Sequence, residues 1–460
     1  MRTDPLRRLV AACVTILIVI GCSGVASSPA ASAPAVSQPS GTGPSAAPTA
    51  RTPIPATAGE SSRAWLLVGR HGQPDLQLVL ATTGEVQDMT VPDGAPAADW
   101  RRVVTATVDG PATAVRDLVV QPGSFGPELR IDGHWRLPSV GLDPLPAGRS
   151  LDGSTIALVE GAYDPSARVS RFAIVDHFLL GAVQTAGDAP LRLVRVIELP
   201  GAFEYDTLSP DGTILYVVQH LDAAAGGRYQ VRAVDVATGV LRDGVIVDKG
   251  NPDETMAGSP VAQLRRSDGL VLTLYRGPEH PFIHALASKD AWAVCIDLPR
   301  GGDVDAAASL DWGLTPSADD ASVFAVNASL GLAVEIDPGA LAVRRSASIG
   351  TRAVAPVVLA KFGHGEVGPV GRRVVASPDG TLLFAAGADG ITAIRTRDLT
   401  ATRHDLPGSA IDSLGITPDG TVLFALVRGG TIVALDARTG RDLGTVPGVD
   451  YERLLAVAPW

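Results

Sequence analysis

Lysine is nearly missing from this chain: Lys249, Lys289 and Lys361 are the only three among 38 basic residues. Its cations are therefore arginines. Cysteine is as sparse, with Cys13 and Cys22 near the N-terminus and Cys295 alone in the body, which excludes a disulfide-stapled scaffold there. Cys295 falls in the apolar stretch from Ala291 to Leu298, without metal-ligand spacing around it, and is expected to be a small buried hydrophobe. No apolar run reaches the roughly 20 residues of a membrane-spanning helix. The sequence also lacks a C-x-x-C-H haem attachment motif, a G-x-S-x-G nucleophile elbow, a zincin motif and a Cys-His arrangement. It offers no catalytic residue, no metal site and no cofactor site. The net charge of −11, with basic residues scattered, argues against a nucleic-acid partner.

What is present begins with an export signal. Arg2, Arg7 and Arg8 precede the apolar run from Leu9 to Ile20. The run closes on Val19-Ile20-Gly21-Cys22, which resembles the bacterial lipobox; the resemblance implies lipid on Cys22 and a mature chain anchored to the extracytoplasmic face of the cell membrane. Arg7-Arg8 leaves general and twin-arginine export both open. Residues 1–22 are thus read as the signal and 23–61 as a stalk of Ala, Ser, Pro, Thr and Gly, with Arg51 and Glu60 its only charges. That composition is expected to be disordered, with a reach on the order of 35 Å. Residues 62–460 remain as one body without a second linker.

That body repeats itself. Leu208-Ser-Pro-Asp-Gly-Thr-Ile-Leu-Tyr-Val-Val218 returns as Ala376-Ser-Pro-Asp-Gly-Thr-Leu-Leu-Phe-Ala-Ala386 and as Ile416-Thr-Pro-Asp-Gly-Thr-Val-Leu-Phe-Ala-Leu426. Pro fixes one turn angle and Gly supplies the positive φ that reverses the chain, so each copy predicts a hairpin. A third strand and a second turn follow, as in Val231 to Gly239 and Thr431 to Gly440. At this spacing the sequence resembles the YVTN-type and WD-type propeller repeats, most closely over 202–245 and 370–447. The resemblance implies an all-β propeller of four-stranded blades. Second strands are read near Trp65, Val115, Ile156, Leu215, Leu272, Val323, Leu383 and Leu423, giving eight blades, with seven the alternative. The segment from Leu454 to Trp460 reads as an inner strand that completes the N-terminal blade, and the chain is expected to be a monomer.

Strand alternation sorts the loops by face. The Pro-Asp-Gly and Thr-Gly turns share one face, and the starts of the inner strands share the other. Charged and aromatic residues collect at those starts: Trp100 and Arg101 after Asp99, Tyr205 and Asp206 after Glu204, Asp311 and Trp312, Arg372 and Arg373, Asp412, and Tyr451 with Arg453. This set predicts a binding rim at the channel mouth, with aromatic walls and guanidinium forks for a protein or small polar ligand. His71, His220 and Glu279-His280 lie on neighbouring loops further out. Tyr275 to Leu286 departs from the repeat template, and Ala360 to Pro369 is a Gly-rich insertion without the ending of a phosphate loop. A membrane-anchored binding propeller is the first expectation. A propeller hydrolase such as a lactonase is the alternative, and a redox accessory propeller the third.

Overall fold

The computed structural model describes residues 52–54 and 64–458, apart from 74, 93, 98–100, 121–123, 127, 142–145, 162–163, 165, 178–190, 223–226, 247–254, 278, 301–310, 351–370 and 449. The signal, Cys22, Trp100 and the insertion at 360–369 lie outside the described residues. Eight antiparallel sheets, each built on four strands, form a ring: the fold is an eight-bladed β-propeller.

The repeated apolar strands follow from what lies on each side of them. Successive side chains of a strand point to opposite faces, and the faces of a blade are each covered by a neighbouring blade. In the blade built on Leu382–Gly387, Leu383 and Ala385 pack against Phe324 and Val326 of the preceding blade. Phe384 and Ala386 pack against Ile411 and Leu423 of the following one. The core is accordingly divided into eight clusters, one between every adjacent pair of blades. No blade buries its apolar faces without both neighbours.

The turns repeat in atomic detail. The Ser209 hydroxyl donates to Asp211 Oδ1 at 2.7 Å and accepts from the Ile214 amide at 2.9 Å, while Gly212 takes φ 68°. Ser377 with Asp379 and Leu382, and Thr417 with Asp419 and Val422, make the same bonds. So do the weaker sequence copies Ser150 to Thr155 and Ser317 to Ser322. In the last of these Asp320 adopts φ 58° where the others have Gly. Donation from Ser377 and Thr381 holds the Asp379 carboxyl below the usual carboxylate range.

The ring closes where the sequence predicts. Tyr451–Val457 is the inner strand of the first blade and pairs with Trp65–Arg70, with Val68 opposite Leu454. Seven of the eight expected second strands are second strands. The exception is Val115, which lies in Ala112–Val119, the third strand of its blade; Arg102–Asp109 is the second, and Gly94–Pro96 the inner one. Three residues of Gly, Ala and Pro carry no strand signal, which is why the assignment slipped by one strand without changing the count. Tyr275 to Leu286 is more regular than its sequence suggests: it belongs to the hairpin of Leu270–Arg276 and Pro281–Ala287. Thr52 to Ile54, inside the segment read as stalk, pairs in parallel with Thr445 on the outer edge of the last blade, and Ile54 is buried there.

Between the second and third blades lies a polar cluster whose members no sequence motif links. His177 is fully buried, with Nε2 2.9 Å from Asp117 Oδ2 and Nδ1 3.1 Å from the Gly153 carbonyl; Arg102 pairs with the same carboxylate. Burial pushes the Asp117 carboxyl up, but His177 and Arg102 together hold it below the ordinary range. The cluster joins two blades and fixes their register on the turn side.

Candidate functional site

The predicted rim separates into three groups. The first is absorbed by blade packing. Tyr205 and Trp312 are core residues, 5% and 2% exposed, in the clusters between the third and fourth and the fifth and sixth blades. Tyr451 is buried, its hydroxyl donating to the Pro447 carbonyl at 2.7 Å and its ring lying under Arg70. Arg453 is also buried, against Gly69. Asp206 sits at a bulge in Phe203–Leu208 and accepts from Gln263 Nε2 of the next blade at 3.2 Å.

Burial pushes the Asp206 carboxyl up to about 7, the Gln263 bond offsetting only part of that. The folded protein therefore keeps this proton up to neutral pH, while the unfolded chain loses it near pH 4. Stability falls as pH rises from about 4 through about 7 and is level above that, with a total on the order of 4 kcal/mol at most. Asp206→Asn, which fixes the neutral form, is expected to abolish this slope and to stabilise the protein at pH 8. Urea midpoints at pH 5 and pH 8 measure it; an unchanged slope in the variant would assign the proton elsewhere.

The second group lies away from the mouth. Arg101 follows the inner strand of its blade and sits in the first turn, because the strand after it is the second and not the inner one. It is exposed on the same face as the Pro-Asp-Gly turns. The outer histidines are dispersed: His220 meets Glu204 at 2.7 Å, His280 meets Asp297 at 2.8 Å, and His71 reaches Glu452 only at 4.0 Å. Among the described residues no three His, Cys, Asp or Glu side chains converge to hold a metal. Cys295 is half-buried rather than buried, packed against the cluster of Tyr229 and Tyr275.

The third group does converge. Asp311, Arg372 and Arg373, with the buried Trp312 behind them, border one cavity of about 710 Å³, which follows the central channel along the inner strands of the first and the last four blades. Arg373 pairs with Asp311 and donates to the Ile411 carbonyl, and Ser329 donates to the other Asp311 oxygen. Arg372 stands exposed beside that pair. Asp412 is held by Arg428 at 2.9 Å and is not part of the cavity wall. Arg265 lies at the far end of its strand, Ser259–Arg265, and donates to the Arg149 carbonyl. The sequence reading missed Arg265 and the walls of the lumen, because the alternation of an inner strand does not reveal which edge faces the channel. A smaller cleft of about 270 Å³ lies beside Glu204 and Arg136, whose guanidinium is lowered by burial.

An eight-bladed propeller with a ligand-sized channel is the class that fold and cavity define. No protein-family model matches the chain, and the comparison with curated proteins finds no match. Among solved structures it is similar to the dihydro-heme d1 dehydrogenase NirN, at TM-score 0.50 and 15% identity over 87% of this chain and 76% of that one. It is also similar to AztD from Citrobacter koseri, at 0.49 and 12% over 84% and 96%. Sqt1 from Saccharomyces cerevisiae follows at 0.46 and 13%, over 78% and 86%. At such identities the likeness shows the fold alone.

Proposed function

We propose that this chain is an extracytoplasmic, lipid-anchored propeller that binds a ligand through its channel mouth. The observation that carries the reading is the cavity of about 710 Å³, opening beside Asp311, Arg372 and Arg373. That volume falls within the roughly 300–1,000 Å³ of small-molecule sites, and a paired carboxylate and guanidinium fix orientation at its edge. Val19 to Cys22 and the polar segment behind it support the anchor. Cys22→Ser is expected to move the protein from the membrane fraction to the soluble one, and unchanged fractionation would remove the anchor from the proposal.

The binding reading is tested on the channel itself. Ala262 is a small, half-buried residue of the cavity wall, so Ala262→Trp fills the lumen from one inner strand. Protein purified from its exporting host is denatured, and the small molecules released are identified by mass spectrometry. A species released stoichiometrically by the native chain and lost from the filled variant is the expected result. Equal release from both, or release from neither, would sink the channel-mouth function.

A further inference from the structure

We infer that the cleft between the third and fourth blades binds a free α-amino acid with an apolar side chain, its carboxylate on Arg136 and its ammonium on Glu204. The site is separate from the channel, since the two cavities share no wall residue, and it does not rest on the channel-mouth reading. Trp135–Arg136 is the inner strand of the third blade and sets Arg136 opposite Val159. Phe203–Leu208 is the inner strand of the fourth and sets Glu204 opposite Val218. The two strands thus bring a guanidinium and a carboxylate to one cleft of about 270 Å³.

These two charges face each other without closing. Arg136 is exposed, and its guanidinium makes no hydrogen bond or ion pair among the described residues; Glu204 is the carboxylate that acts on it across the cleft. The Glu204 side chain is 33% exposed, and among the described residues only its Oε2 is engaged, by His220 Nε2 at 2.7 Å. The other charges of the wall are already held: Arg171 by Glu160 and Glu198 at 3.1 and 2.7 Å, and Asp164 by the Ser166 hydroxyl at 2.6 Å. A simple anion at Arg136 would face Glu204, and a simple cation at Glu204 would face Arg136. A molecule that carries both charges avoids each repulsion and makes two charge-assisted bonds. Size and wall give the rest. The volume lies below the roughly 300–1,000 Å³ of drug-sized ligand sites, which limits the occupant to a small molecule. Val169, 45% exposed, and the half-buried Val159 border the same cleft and offer apolar surface to a side chain on that molecule.

Isothermal titration calorimetry of the full chain with leucine, N-acetyl-leucine, leucinamide and glycine tests this. Leucine is expected to bind; N-acetyl-leucine and leucinamide, which each lack one charge, should bind at least about tenfold more weakly. Glycine should be weaker by a similar factor, for want of an apolar side chain. Arg136→Gln should weaken leucine about tenfold and bind leucine and leucinamide alike. Glu204→Gln should do the same for leucine and N-acetyl-leucine. Both side chains reach solvent, so both variants should melt with the native chain, and the ligand series on the native chain decides the question if either does not. Ala262→Trp, which fills the lumen, should leave leucine binding unchanged. Failure of leucine to bind, or analogues that bind the native chain as tightly as leucine, would overturn the inference. So would a folded Arg136→Gln or Glu204→Gln protein that holds leucine at native strength. Loss of leucine from the filled variant would move the site to the channel and overturn the cleft.

Discussion

Deleting Leu454 to Trp460 is expected to unfold the propeller. Leu454 packs between the last and first blades and Leu455 between the first and second, so one strand serves two of the eight cores. Both are fully buried, and each is worth about 1.5–3 kcal/mol in apolar burial alone. The same deletion removes three of the five pairs of the ladder to Trp65–Arg70, those of Leu66, Leu67 and Val68, and the acceptor of the Ser413 hydroxyl, 2.7 Å away at the Leu454 carbonyl. It also leaves two blades with open faces and a bare edge, the feature that drives sheets to associate. The sum approaches the whole stability of an ordinary domain, about 5–15 kcal/mol. Thermal melting by circular dichroism, with size-exclusion chromatography of the same samples, reads the result. A truncated protein that elutes as a monomer and melts with the full chain would refute closure through this strand.

The second large effect is expected at Trp312. Its place in the sequence, at the start of an inner strand, suggests an aromatic wall for a ligand; the structure puts its side chain inside the core shared by the fifth and sixth blades, with Val261, Leu272 and Ile283. Trp312→Ala should therefore cost about 3–5 kcal/mol, as removal of a large buried aromatic does. Trp312 Nε1 is buried without a hydrogen-bond partner among the described residues. Trp312→Phe sacrifices no bond and should recover most of the loss. Urea midpoints of the two variants carry the comparison. A Trp312→Ala protein as stable as the native one, and defective only in ligand release, would return this residue to the binding surface.

How far the sequence reached depends on which contacts each feature needs. The Ser-Pro-Asp-Gly turns were legible because their bonds run between residues at most five positions apart, from Ser209 to Asp211 and Ile214. The second strands were legible because both of their faces are buried, which forces a continuous apolar run. Where local signal failed, so did the reading: Gly94–Pro96 is too short and too poor in β-formers to announce an inner strand, and Arg101 was placed on the wrong face as a result.

The rim shows the other limit. Asp206, Asp311 and Trp312 look alike in sequence to Arg372, since each is a polar or aromatic residue near the start of an inner strand. Their fates diverge through partners that lie far away in the chain: Gln263 for Asp206, Val261 and Leu272 for Trp312, Ser329 and Arg373 for Asp311. The sequence by itself determined the repeat, the hairpins, the eight blades and the closing strand, because turn chemistry and strand periodicity are short-range. The tertiary structure alone decided which side chains reach the channel, because that depends on the angle at which eight sheets meet around an axis, and no local pattern encodes it.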